Sequence, residues 1–283
     1  FIRDLFYAAN VSFLSERPRY KLQIEQSINE TARMRIIGIS LETRPDHIRP
    51  LELKRFRKLG CTRVQIGIQH TNNDILKLVN RGHTAEDGVE AVKLLKDWGF
   101  KVDVHVMPDL PGSNPKEDKK MLETVINDLI PDYMKIYPCL DVSFTEIRKW
   151  KEDGRWKPYA ESNYNDLVEV ILFAKKISKQ CIRFNRIQRD FPPETETRLG
   201  YTSTTIRPNL RQLVLEEAKK RNILCQCIRC REVKRKKINQ VSYKVDIFYT
   251  SGEKELFISA NSKDDKTLYG FIRVRLFREL RIA

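Results

Sequence analysis

No apolar run in these 283 residues approaches the ~18–20 needed to span a bilayer, so nothing reads as a transmembrane helix. The first stretch carries Arg3 and Asp4 and lacks a long apolar core, which excludes a secretory signal there. Six cysteines are too few and too unevenly spaced for a disulfide scaffold. There is no P-loop, no GxGxxG, no HExxH and no GxSxG, so several common chemistries have no support. Internal repeats and low-complexity segments are also missing. The chain starts at Phe1 without an initiator methionine, and a piece of a longer protein is the expectation.

What is present is basic. Lys and Arg number 53 against 38 Asp and Glu, a net charge of +15, which favours a polyanionic partner, nucleic acid before membrane. Three of the six cysteines crowd into residues 225–230 (CQCIRC). Such spacing reads as metal ligation in a reducing compartment, so a cytoplasmic location is expected. Thiolates this close can wrap one zinc, and tetrahedral closure needs a fourth ligand, for which His47, Cys61, Cys181 or a more distant histidine are open.

From residue 33 to about 190, short β-type runs alternate with helical patterns. The runs are 35–42, 62–69, 101–107, 132–137 and 181–188. Helices are expected at 48–59, 85–98, 115–129, 163–179 and 208–222; Thr84 and Asp87 form a capping box for the second, and Gly99 stops it. Alternation of this kind argues for βα units and a parallel sheet. The strands are apolar on one face and polar on the other: Val102, Val104 and Val106 oppose Asp103 and His105, and Ile37, Ile39 and Leu41 oppose Gly38, Ser40 and Glu42. A barrel explains this, with the aliphatic face on outer helices and the polar face lining an interior that opens at the C-terminal mouth. Glu42, Gln69, His105, Lys135 and Tyr137 should converge there. A basic linker, 231–237, leads to strand-like runs at 243–249, 255–260 and 268–276, the opening of a β-meander.

Residues 148–159 (RKWKEDGRWKPY) interleave Arg148, Lys149, Lys151, Arg155 and Lys157 with Trp150, Trp156 and Tyr159. Cations neutralise phosphates and aromatic faces stack on bases, so this suits RNA; an amphipathic helix end with its tryptophans in the core is the competing account. Lys234, Arg235, Lys236 and Lys237 in the linker are further candidates for RNA phosphates. Arg81, in the turn NRGHT (80–84), is placed to meet a phosphate or carboxylate near a helix N-terminus.

Taken together, LETRPD (41–46), GCTRVQIGIQ (60–69), NRGHT (80–84), HVMPDLPG (105–112), KIYP (135–138), RIQRD (186–190), NLRQLVL (209–215) and CQCIRCREV (225–233) resemble the elongator complex protein 3 family, in the order seen there. The resemblance implies an α/β fold: a partial (β/α) radical-SAM-type barrel, then a Cys-rich linker and the start of a GNAT-like α+β domain. Its expected boundaries are 1–207, 208–240 and 241–283. It further implies modification of the tRNA wobble uridine by transfer of an acetyl- or carboxymethyl-type group. Acetyl-CoA, S-adenosylmethionine, a four-iron four-sulfur cluster and zinc are the implied cofactors. The implied partners are tRNA, with a homodimer or Elongator subunits as further partners, and no membrane.

Under the resemblance Glu42 and Gln69 are expected to contact S-adenosylmethionine, and His105 and Lys135 to polarise or orient the acyl group. Arg81, Arg186 and Arg189 are expected to meet tRNA or cofactor phosphates. Zinc is expected on Cys225, Cys227, Cys230 and His47. His47 stands where the family usually has Tyr followed by Cys at 47–48, Gln65 where it usually has Glu, and His70 where it usually has Ser. The family's cluster cysteines lie N-terminal to everything here, no cysteine precedes Cys61, and the acetyl-CoA loop is expected beyond the strand that closes the chain. The alternative is a non-catalytic tRNA-binding module.

Overall fold

Runs rich in β-branched residues, bounded by Gly, Pro and charged residues, become five parallel strands. The computed structural model describes residues 1–14, 16–142, 145–188, 207, 209–235 and 237–277. Strands β1 (Ile39–Thr43), β2 (Cys61–Gln69), β3 (Lys101–Val106), β4 (Tyr133–Ile136) and β5 (Arg183–Ile187) lie side by side in chain order, every pair parallel. A doubly wound sheet reverses its strand order at a switch point, whereas this order never reverses, as in a barrel wall. Each strand falls within two residues of its expected run except the first. The run at 35–42 is expected to present Ile37 on the aliphatic face that meets the outer helices, yet Ile37 is 97% exposed. The reason is register: pairing with β2 begins only at Ile39↔Cys61, so β2 gives Ile37 no partner strand.

Helices α1 (Ile2–Val11) and α2 (Leu22–Asn29) pair with each other ahead of the sheet. Along the sheet follow α3 (Pro50–Lys58), α4 (Asn73–Leu78), α5 (Ala85–Asp97), α6 (Pro115–Thr124), α7 (Glu146–Glu152), α8 (Tyr159–Ser162) and α9 (Tyr164–Lys176). Local signals set their ends. Thr84 and Asp87 make the reciprocal capping box of α5, and Asn72, Asn114 and Asn163 cap α4, α6 and α9. Proline at the first turn of α3 and α6 gives up an N–H that has no helical partner anyway. Gly88 of α5 faces Ile68 of β2 at ordinary van der Waals distance.

Val64, Ile66, Ile68, Val102, Val104 and Val106 are buried under these helices, against Val92, Leu95, Met121, Leu122 and Ile126. Helix α10 (Leu210–Lys220) adds Leu210, Val214 and Ala218 to the same core beside α9. The chain then turns through the cysteine segment and the short helix α11 (Ile228–Arg231) into the meander β6 (Val241–Thr250), β7 (Glu253–Ser262) and β8 (Leu268–Leu276). Its first turn is Ser251-Gly252, both with positive φ, as a two-residue hairpin loop requires.

The meander turns its charged face inward. Glu255 and Arg273 and Arg275 meet Lys96 and Asp97 of α5 and the backbone before β4, at the N-terminal ends of the parallel strands. Its other face carries Tyr243, Val245, Ile247 and Tyr249 to solvent. Among the described residues no helix is long and apolar enough to cross a membrane.

Candidate functional site

The parallel register aligns the polar faces of neighbouring strands at their C-terminal ends. Glu42 lies opposite Gln65, Gln65 opposite Asp103, His105 opposite Lys135, and Lys135 opposite Arg186. Four of the five residues expected at the mouth gather around one amide. Gln65 Oε1 accepts from Lys135 Nζ and lies 3.1 Å from His105 Nε2, while Gln65 Nε2 reaches Ser40 Oγ at 2.9 Å. His105 Nδ1 faces Glu42 Oε1 at 3.6 Å, and the Tyr137 ring meets the imidazole edge-on at 5.7 Å between centroids.

The donors decide the protonation pattern. Lysine can only donate, so the atom facing Lys135 must be the amide oxygen. The same oxygen can only accept from His105, which therefore carries its proton on Nε2. Nδ1 is left toward Glu42, whose side chain is 64% exposed at the opening. Burial lowers the Lys135 pKa, with Asp103 and Glu42 pulling the other way. Burial raises that of Asp103, which accepts from Asn185 Nδ2 at 2.9 Å and is fully buried.

Gln69, the fifth expected residue, sits in left-handed backbone at φ +66° and folds its amide over Gly67, where any Cβ would collide with it. Arg81 stacks on the same glycine and donates to Gly67 O at 3.2 Å; burial lowers its pKa. Arg81 Nε, His83 Nδ1 and Asp103 Oδ1 are buried without a hydrogen-bond partner. Native proteins seldom leave such atoms unpaired unless a ligand or water meets them. The chemistry on offer is polarisation by a partly desolvated ammonium and proton exchange at an imidazole, with Glu42 on the solvent side.

Sequence reasoning left Gln65, Asp103 and Asn185 out of the site. Gln65 and Asp103 alternate with core residues on the polar face, so the period-two pattern carried their signal. Asn185 needed the β4–β5 register.

The loop that follows β3 is held by a second buried cluster. Asp118, fully buried, accepts from Ser113 Oγ (2.6 Å), Tyr159 Oη (2.6 Å) and Asp109 N (2.7 Å), with His70 Nε2 at 3.3 Å. Asn72 N donates to His70 Nδ1, so His70 is protonated at Nε2 and donates to Asp118. Asp109 accepts from Tyr159 N and Ala160 N, and burial pushes its carboxyl up to about 7.

The 148–159 stretch corrects one expectation. Trp156 is buried with Ile75, Leu110 and Cys139, Trp150 packs against that cluster, and Tyr159 serves Asp118. Burying an indole is worth a few kcal/mol (~1.5–3 for a large apolar side chain), so Trp156 goes to the core and Trp150 and Tyr159 lean half-buried against it, as the competing account expects. Arg148 and Lys151 pair with buried Asp141, Lys149 with Glu146 and Arg155 with Asp153; Lys157 is exposed. Lys234, Arg235 and Lys237 are exposed on the linker, while Arg189 and Lys236 lie outside the described residues.

Cys225, Cys227 and Cys230 do come together, their sulfur atoms all within 4.8 Å of one another. They sit where the chain enters β5: Gln226 N donates to Ser178 Oγ and Ile228 N to Ile182 O. Hydrogen bonds from Cys225 and Cys227 lower the Cys230 pKa, and Lys175 Nζ stands 3.6 Å away; the Cys227 thiol is pushed up by sharing those bonds. His47 is not with them. It follows β1 at the opposite edge of the sheet, 62% exposed, with Asp46 at 3.9 Å. Four strand spacings separate the two edges, which removes His47 as fourth ligand. Among the described residues no further Cys, His, Asp or Glu joins the three sulfurs.

Residues 3–125 match the radical SAM superfamily, and residues 131–220 match the Radical_SAM C-terminal domain. A tRNA uridine(34) acetyltransferase of Methanocaldococcus infernus is 38% identical over 96% of this chain and 52% of its own length. The Elongator complex protein 3 of Homo sapiens is 34% identical over 96% of this chain and 50% of its own. The solved archaeal Methanocaldococcus infernus Elp3 with an N-terminal deletion superposes with a TM-score of 0.86 at 37% identity, covering 97% of this chain and 64% of that one. The chain thus spans about half the length of the curated relatives it matches.

Proposed function

This chain belongs to the elongator complex protein 3 family, and from that premise we propose that the protein carrying it modifies the wobble uridine of tRNA. The proposed reaction transfers an acetyl- or carboxymethyl-type group from acetyl-CoA, with S-adenosylmethionine as the source of the initiating radical. The observation that carries this reading is the clamp on Gln65 by Lys135 and His105 at the mouth of a parallel sheet.

In this reading Lys135 presents one of its remaining N–H groups to the acyl carbonyl oxygen, while His105, its Nε2–H on Gln65, exchanges a proton with Glu42 through Nδ1. Gln69 and Arg81, beside the orphaned Arg81 Nε, would hold S-adenosylmethionine. The iron–sulfur cluster does not fit this chain's described cysteines. Its three gathered thiols enter at the N-terminal end of β5, away from the mouth. The three thiols do fit zinc, which prefers sulfur ligands and lowers thiol pKa on binding. There it would tie the 1–207 barrel to the meander from 241 onward, the start of an acetyltransferase-type domain.

The test uses the intact protein that carries this chain, purified anaerobically with tRNA, acetyl-CoA and S-adenosylmethionine. Cleavage of S-adenosylmethionine and a mass gain at uridine 34 are expected. Lys135→Met should lower the rate at least a hundredfold with tRNA affinity unchanged. Full tRNA binding without any cleavage would favour the non-catalytic module instead.

A further inference from the structure

Beside the thiols, two of which (Cys225 and Cys230) form part of its wall, lies a cleft of about 400 Å³. Lys175, Arg211, Lys219, Arg229, Lys234 and Lys266 line it, and no carboxylate is among its described lining residues. Some of this charge is spoken for. Lys175 faces Cys230 Sγ, Arg229 donates to Asn185 O, and Arg231, also at the wall, is tied to Asp265 and to the carbonyls of Gln180 and Gln226. Arg211, Lys219, Lys234 and Lys266 pair with no carboxylate among the described residues. A zinc ion on three thiolates would leave one negative charge, too little to balance them.

Like charges gathered without counter-ions cost stability, and a fold tolerates them where an anionic ligand completes the set. One wall of the cleft is apolar, formed by Leu215, Ala218, Ile223 and Leu224, the last 66% exposed. A phosphate is met by cations and the face of a nucleobase by an apolar wall, and both are within one cavity of nucleotide size. From the cleft the exposed Arg235 and Lys237 continue the positive track along the linker.

We propose that this cleft binds one unstacked nucleotide of single-stranded RNA, with its phosphates on Arg211, Lys219 and Lys266 and its base on the Leu215–Ala218 wall. The proposal rests on the reading that RNA is the substrate, and it places a contact apart from the reacting uridine. The thiols stand at the N-terminal end of β5 and the mouth groups at the C-terminal ends of the strands. An RNA that used both would run along the height of the sheet, gaining affinity by two-point attachment.

The test is binding of a labelled anticodon stem-loop RNA to the zinc-loaded chain, by fluorescence anisotropy across salt concentrations. Arg211→Glu/Lys266→Glu is expected to bind at least tenfold more weakly, with the log–log salt slope reduced by about 2. Zinc content should be unchanged; if charge reversal disturbs the fold, Arg211→Gln/Lys266→Gln should still show a severalfold loss. RNA binding equal to wild type in both variants, with the same salt slope, would overturn the cleft while leaving the tRNA reading intact. Failure of the wild type to bind any RNA would overturn both. Competition by AMP or inorganic phosphate at the concentration where the RNA itself saturates would overturn the RNA assignment in favour of a small phosphate ligand.

Discussion

Replacing Arg273 by methionine should detach the meander from the barrel. The Arg273 side chain, 11% exposed, donates to Glu255 at 2.6 Å, to Ile130 O at 2.8 Å and to Pro131 O and Cys181 O at 3.3 and 3.4 Å, and it pairs with Asp132. Removing one partner of a buried ion pair costs ~3–5 kcal/mol. Glu255 keeps Arg275 at 2.8 Å and Lys96 at 3.1 Å, so the low end applies, about 3 kcal/mol. The meander has little core of its own, since Phe257 and Leu268 are its only buried hydrophobic residues among those described. A small sheet without a covered face is marginal alone, so weaker docking passes almost fully into local opening. Hydrogen exchange on the intact chain should therefore show protection of the Glu253–Ser262 amides falling roughly a hundredfold. The barrel, watched by the fluorescence of Trp98, Trp150 and Trp156, should shift far less. If Arg273→Met folds and those amides lose less than about threefold in protection, the docking argument is wrong.

Three further outcomes follow from the same geometry. Lys96 is almost fully buried and its pKa is lowered to about 8, desolvation being the main cause. Its folded pKa lies below its unfolded one, so folding releases protons between about pH 8 and 10.5 and this residue's contribution to stability rises across that window. Lys96→Met should lose that rise, visible as a wild-type-minus-mutant difference in urea midpoint that changes between pH 7.5 and 10; a constant difference would refute it. Asp118→Ala strips the partner from Ser113, Tyr159 and His70 at once and should cost ~3–5 kcal/mol by urea unfolding followed through tryptophan, with an unchanged m-value. A loss under about 1 kcal/mol would show the cluster to be dispensable. Purified chain should carry one zinc, and Cys227→Ser less than a tenth of that by elemental analysis; equal zinc in both would exclude the three-thiol site.

Much of the parallel sheet was legible because local rules and the global fold agree. Alternating Val64, Ile66, Ile68 and Val102, Val104, Val106 mark both the strands and the face that meets the helices. The Thr84–Asp87 box marks where α5 begins. Most of the mouth was legible for the same reason: period-two alternation fixes which side chains share a face, and chain order fixed which strands are neighbours. Gln65 shows the limit, since a glutamine on a polar face becomes central only when Lys135 and His105 arrive from two other strands. The tryptophans of 148–159 show another, because cations interleaved with aromatics read equally as an RNA surface or a core edge until burial is known.

The sequence by itself marked four of the five parallel strands, the starts of α3, α5, α6, α9 and α10, the family resemblance and the gathering of three thiols, because each is written in short runs and spacings. Tertiary structure alone decided what lies far apart in sequence. It set His47 at the sheet edge opposite the thiols, it committed Arg148 and Lys151 to Asp141, and it turned the charged face of β7 and β8 toward the barrel. Alternation says that a strand has two faces and cannot say which one docks. Here the choice went to Glu255, Arg273 and Arg275 because Lys96, Asp97 and the carbonyls before β4 supply matching partners on the other side of the joint.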